Sequence, residues 1–150
     1  MGKTYYYQKN NMIAWSEDYN TGNERIDFEH QIFFGLVNDF QVARLRNDSK
    51  DKLVRILHEI SLYAKFHFKS EENIMEDIAY PELEPHRQHH YKLIESLSNK
   101  MMGLELGQHS AAEIEEFLLH WFTQHVTLED SKIASYLKSA AVAGHEREGS

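Results

Sequence analysis

Four stretches of this chain carry an apolar residue at every third or fourth position, and each stretch holds histidine within its stripe. That spacing buries one face of a helix. A chain so patterned must pack four amphipathic helices with their imidazoles turned toward one another. In the first stripe His30 stands among Ile26, Phe33, Val37 and Phe40. The second reads Leu53, Ile56, Leu57, Ile60, Ala64, His67, Glu71, Ile74 and Ile78. The third reads His86, His90, Leu93, Leu97, Met101 and Leu104, and the fourth Ile114, Phe117, Leu118, Trp121, His125 and Leu128.

Local signals set the boundaries. The first helix starts between Asn23 and Asp27 and closes at Asn47-Asp48-Ser49, which also caps the next. The second runs from about Lys50 to Ile78 and stops at Tyr80-Pro81, since proline disfavours helix in the residue before it. Pro85 suits the first position of the third helix, which ends near Leu106 with Gly107 as its stop. Ser110, with Glu113 three residues on, caps the fourth as a capping box, and that helix ends near Leu137. Residues 1–22 read as an extended arm anchored by Ile13-Ala14-Trp15, with Trp15 packed on the helices as a plug. Residues 138–150 form a tail that prolongs the last helix or frays. The expected fold is all-α, an up-down-up-down four-helix bundle with an extended N-terminal arm. It forms a single domain over 1–150, its core spanning about 13–137.

Composition narrows the function. A chain of 150 residues supports one real core and not two. A formal charge of −8 argues against nucleic acid, whose readers carry a basic face. The longest apolar runs are too short to enter a membrane. With no cysteine, disulfides, iron–sulfur clusters and thiolate metal sites are excluded. Met1 to Asn11 is polar and tyrosine-rich, unlike a secretory signal. A cytoplasmic monomer is expected, because the arm and the four stripes account for the apolar surface.

The stripe histidines point to metal. His67 and Glu71, four apart on a helix, are offset by only about 40° and about 6 Å of rise, so both can lean toward one point. Burying His30, His67, His86, His90 and His125 with Glu71 and Asp130, and no cation, would leave several polar groups unpaired at about 2–7 kcal/mol each. The other five histidines are a control: His58, His89 and His120 fall off their stripes, His109 lies in a loop and His145 in the tail. Five nitrogens and two carboxylates are too many for one four-coordinate zinc and suit two metals bridged by the carboxylates. Iron, zinc, manganese and copper are all compatible with such ligands. Ferritin-like bundles use Glu-x-x-His pairs, and no glutamate here lies three residues before a histidine. Asp130 is awkward. Five residues after His125 on a regular helix, it points about 140° away, so local distortion or a long reach is expected. Beyond the ligands no acid or base is expected to face inward, so no catalytic residue is assigned.

The segments Ile26-Asp27-Phe28-Glu29-His30-Gln31, His67-Phe68-Lys69-Ser70-Glu71-Glu72-Asn73-Ile74-Met75, His86-Arg87-Gln88-His89-His90 and Trp121-Phe122-Thr123-Gln124-His125, with Asp130 five residues on, resemble the hemerythrin family, specifically its single-domain bacterial members. The resemblance covers roughly Ile13 to Leu137. It implies a non-haem di-iron site, with an oxo or hydroxo bridge, that binds O2 reversibly for storage, delivery or buffering. One iron would take His86, His90 and His125; the other would take His30 and His67 and keep an open position; Glu71 and Asp130 would bridge them. Charge balance fits a carrier, because the oxidised, O2-bound and the reduced, O2-free forms carry the same total charge and none need enter a dry pocket. Phe68, Met75, Trp121, Phe122 and Val126 would flank the O2 cavity. The implied partners are O2 and an oxygen-consuming enzyme. An oxygen or redox sensor and a peroxide- or nitric-oxide-reactive enzyme are the alternatives.

Overall fold

In the computed structural model, residues 15–148 are described, with side chains through Val142. A short 3-10 turn, Glu17–Tyr19, leads into α1 (Glu24–Leu45), followed by α2 (Lys50–Asp77) and α3 (Leu83–Glu105). α4 (Ala111–Gln124), a π turn (His125–Asp130) and α5 (Ser131–Glu148) make up the fourth, longest stretch of helix. No strand occurs among the described residues, and the fold is the expected four-helix bundle. α2 packs between α1 and α3, while α1 also packs on α4. No helix is long and apolar enough to cross a membrane.

The helix ends follow local chemistry. Asn23, Ser49 and Ser110 each accept a backbone N–H of the first turn they cap. The Ser110 box is only half made, since the Glu113 carboxylate accepts from the His109 ring instead, at 3.2 Å. α1, α2 and α3 all stop in the same way, with a left-handed residue after the last turn: Asn47 (φ 56), Ala79 (φ 52) and Gly107 (φ 73). In each, the next residue's N–H reaches back to close the turn: Asp48 to the Ala43 carbonyl, Tyr80 to that of Met75 and Gln108 to that of Gly103. These are Schellman motifs.

The structure differs from expectation at several points. α3 begins at Leu83, so Pro85 is its third residue and not its first. This costs nothing, because the first α-helical hydrogen bond is made by His86 N–H to the Glu82 carbonyl and the donors before it have no intrahelical partner. On α2, Met75 is fully buried while Ile74 and Ile78 are only half-buried. Leu128, expected inward, is 57% exposed, because the π turn shifts the stripe. Past Leu137 the last helix continues to Glu148, the prolongation that was one of the two outcomes expected for the tail. The arm's residues 1–14, including Ile13-Ala14, lie outside the described residues. Trp15 packs as the expected plug, edge-on to Phe34 and Phe122 at ring separations of 5.7 and 6.3 Å.

Two apolar clusters result. The larger runs from Trp15 and Phe33 through Leu57, Leu97 and Leu118 to Phe122 and Val126. The smaller joins Ile26, Met75, Tyr80 and Ile133. The candidate ligands occupy neighbouring turns of the same helices, between those that feed one cluster and those that feed the other.

Candidate metal centre

All seven expected ligands are buried, and Glu71 and Asp130 have no exposed surface. α1 supplies His30, α2 His67 and Glu71, α3 His86 and His90, and the π turn His125 and Asp130. A π turn closes i to i+5 and so takes about one extra residue. That distortion brings Asp130 back over His125, with Oδ1 3.0 Å from Nε2, and resolves the awkward spacing.

The donor atoms form two sets, Glu71 with His86, His90 and His125, and His30, His67, Glu71 and Asp130, within each of which they lie within 4.8 Å of one another. Each carboxylate divides its oxygens between them. Glu71 Oε1 lies 2.5 Å from His67 Nε2 and 3.7 Å from that of His30. Its Oε2 lies 3.2, 3.3 and 3.7 Å from Nε2 of His86, His90 and His125. Asp130 Oδ2 is 2.6 Å from His30 Nε2 and 3.8 Å from that of His67. Its Oδ1 faces His86 and His125, at 3.7 and 3.0 Å. Two carboxylates split in this way can bridge two cations.

The donor set fits metal. Nε2 of His67, His90 and His125, Glu71 Oε1 and Asp130 Oδ1 are buried without a hydrogen-bond partner, despite the short separations. They converge on common points instead of aligning donor with acceptor, which is how ligands are arranged and which buried polar groups otherwise avoid. Burial opposes charge on His30, His67 and His125, yet the carboxylates override it. Their imidazoles are held above the ordinary range, His67 well above and His125 up to about 10. Burial likewise opposes ionisation of Glu71 and Asp130, but the surrounding imidazoles hold both carboxyls well below their usual values. At His90 burial prevails and the value falls. The two carboxylates thus demand positive charge at the centre.

Outside the ligands lies a shell of carboxylates. Nδ1 of His67 is 3.7 Å from Glu29 Oε1, that of His90 is 3.5 Å from Glu72 and that of His86 is 3.9 Å from Glu129. None of the three contacts is a hydrogen bond; each carboxylate sets a negative charge behind its ring. Glu29 is the surprise. It is a buried acid beyond the ligands, 4% exposed, anchored by the Ser70 hydroxyl donating to Oε2 at 2.9 Å. It approaches His67 from the ring's outer nitrogen, away from the metal side. Its sequence signal was its place just before His30, about 100° round the helix, on the flank that meets α2. His89 also has a role, its ring stacked on that of His125 at 5.4 Å.

Aromatic rings close over the ligands. Phe68 stacks on His90 at 3.9 Å, Trp121 lies 6.1 Å from His125, and Phe122 meets the His30 ring edge-on at 6.3 Å. Phe33, unassigned from sequence, stacks on Phe122 and abuts Trp121. Four of the five expected cavity residues, Phe68, Trp121, Phe122 and Val126, belong to the larger cluster. Met75 sits in the smaller one.

Comparison with known proteins agrees with this geometry. The family described as "Hemerythrin HHE cation binding domain" matches residues 21–137. A bacteriohemerythrin from Clostridium acetobutylicum is 29% identical over 126 residues, covering 79% of this chain and 96% of that protein. One from Stenotrophomonas maltophilia is 24% identical, covering 85% of this chain and 83% of that protein. A crystal structure of a hemerythrin point mutant superposes with a TM-score of 0.75 at 22% identity, covering 84% of this chain and 97% of the other. At that identity it speaks for the fold.

Proposed function

The chain belongs to the hemerythrin family, and on that premise we propose that it binds O2 reversibly at a di-iron centre, as a store, carrier or buffer of oxygen. The observation that supports this reading most directly is the division of Glu71 and Asp130 oxygens between a two-histidine and a three-histidine set. Bound there, two iron ions would supply the electrons that O2 takes up and returns. His86, His90 and His125 would hold one ion and His30 and His67 the other, with Glu71 and Asp130 offering an oxygen to each set. With one imidazole fewer, the His30/His67 set would be the side that takes O2. Phe122 lies against this side with Phe33 stacked on it, Trp121 lies against the other, and Phe68 meets a ring of each. Together they keep water and protons from the bound ligand. Glu29 sets its carboxylate behind His67, on the side away from the cavity.

The test is spectroscopic. The iron-loaded protein is reduced without oxygen, air is admitted, and the visible spectrum is followed. A charge-transfer band that rises with O2 and vanishes on deoxygenation supports a carrier. One-way oxidation without such a band overturns it in favour of a sensor or enzyme. His67→Ala and Glu71→Ala are each expected to lose the two-iron complement, measured by metal analysis; two irons retained per chain would refute the ligand assignment.

A further inference from the structure

Among the described residues, an apolar face lies exposed on the outer side of α1 and α2. Phe28 is 63% exposed, Ile32 40%, Leu62 68% and Phe66 58%. These residues are not scattered. Phe28, Ile32, Gly35 and Asp39 step by four, three and four along α1, and Glu59, Leu62, Phe66 and Lys69 by three, four and three along α2, so each set is a stripe on one helix face. The premise for a monomer, that all apolar surface is accounted for, does not hold here.

The charges at the ends of these stripes are arranged for self-pairing. The Tyr63 hydroxyl donates to the Glu29 carbonyl at 2.8 Å and the Ser70 hydroxyl to the Glu29 carboxylate at 2.9 Å, so Glu29 is level with the middle of the 63–70 segment. Because α1 and α2 run antiparallel, Ile32 is then level with the turn around Tyr63 and Ala64. Arg25, its side chain 63% exposed and its Nε 4.0 Å from the Glu29 carboxylate, precedes Phe28 on the α1 stripe, and Asp39 ends it. Ile32 is midway between them, about 10 Å from each at 1.5 Å per residue. On α2 the midpoint of Glu59 and Lys69 is Ala64, at the same level. Arg25 and Lys69 therefore mark one end of the face and Asp39 and Glu59 the other, at matched distances from one line crossing both helices. At the acidic end the two carboxylates are neighbours: burial first, then the charge of Glu59, holds the Asp39 carboxyl above its usual value.

We propose that this face is the interface of an antiparallel homodimer, with its twofold axis crossing the helices at Ile32. A twofold axis makes one patch complementary to itself. Rotation about this line brings Arg25 opposite Asp39 of the second copy and Lys69 opposite its Glu59. Ile32 meets its own counterpart, and Phe66 falls against Leu62 of the other chain. Phe28 falls over Gly35, where an added Cβ would meet no atom within 4 Å, leaving a shallow seat for the ring. The apolar centre and charged rim match the anatomy of a stable interface.

Sedimentation or light scattering of the full-length metal-loaded protein, over a concentration series, tests this. The expected result is twice the chain mass, lost in Ile32→Asp while the visible spectrum and the helical circular-dichroism signal are retained. Leu128→Asp, at an exposed apolar residue off this face, leaves the dimer intact. Arg25→Glu with Lys69→Glu is expected to weaken association at least 10-fold, and adding Asp39→Lys with Glu59→Lys restores it. A wild-type monomer at all concentrations overturns the proposal, as does a dimer indifferent to Ile32→Asp and the charge reversals. If Ile32→Asp fails to fold, the charge pairs decide alone. None of these outcomes depends on how the metal handles O2.

Discussion

At the residue scale, the centre is a compromise between burial and charge that only convergent ligands can satisfy. Six of the seven candidate ligands were legible because a polar residue on an apolar stripe has to be accounted for, whereas Asp130, off the stripe, was reached through the family resemblance. The outer carboxylates were less legible, since Glu29, Glu72 and Glu129 lie off the stripes and gain their meaning from which helix they face. Of the three, Glu29 is the most buried and the best anchored, so it should matter most. Glu29→Ala is expected to lower metal affinity about 10- to 100-fold, read by competition with a chelator. The helical circular-dichroism signal should be unchanged. Glu129→Ala, whose carboxylate is 35% exposed, should have a smaller effect. Equal effects would show that the buried partner has no special part.

At the element scale, caps and stops followed residue chemistry closely. Ser49, Ser110 and Gly107 serve as their types suggest, whereas Ala79 does not. It takes the left-handed conformation at the end of α2 with φ 52, where a Cβ costs about 1–2 kcal/mol. The requirement comes from Tyr80, whose N–H must close the turn on the Met75 carbonyl at 2.8 Å while its ring packs in the smaller cluster. Nothing local in the sequence forecast that, because the strain is imposed by tertiary packing. Ala79→Gly should relieve it and stabilise the protein by about 1 kcal/mol after the added unfolded-state entropy. The melting temperature should rise by about 2–4 °C; no rise would mean the turn is not strained. The π turn was foreseen only as a conflict. Stripe periodicity demanded a regular helix, the expected role of Asp130 demanded otherwise, and the chain forms the π turn.

At the scale of the whole molecule, the two ends of the bundle do different work. The metal end holds its charges for chemistry, while toward the other end Glu115 of α4 is buried and paired with α1. The Gln41 side-chain amide donates to Glu115 Oε1 at 2.5 Å, and Arg44 pairs with Oε2. Removing Arg44 strands a carboxylate that is 6% exposed. Arg44→Met is expected to destabilise the fold by about 1–3 kcal/mol, the Arg44 side chain being partly screened by solvent. Arg44→Met with Glu115→Leu should recover most of that loss. Urea unfolding of the three proteins measures it, with metal content as the control that the far end is untouched. A single substitution as costly as the double would deny the pair its role. The extra residue in the π turn has a consequence beyond aiming one ligand. Adding a residue to a helix advances everything after it by about 100°, so the insertion sets the rotational phase of all of α5. Leu128 is turned into solvent and Ile133 into the cluster with Ile26 and Met75. A one-residue change of length between His125 and Asp130 would therefore mis-set the ligand and turn the last helix's dry side outward together. Ligation and the packing of the last helix share a single degree of freedom, and neither can be altered by length without the other.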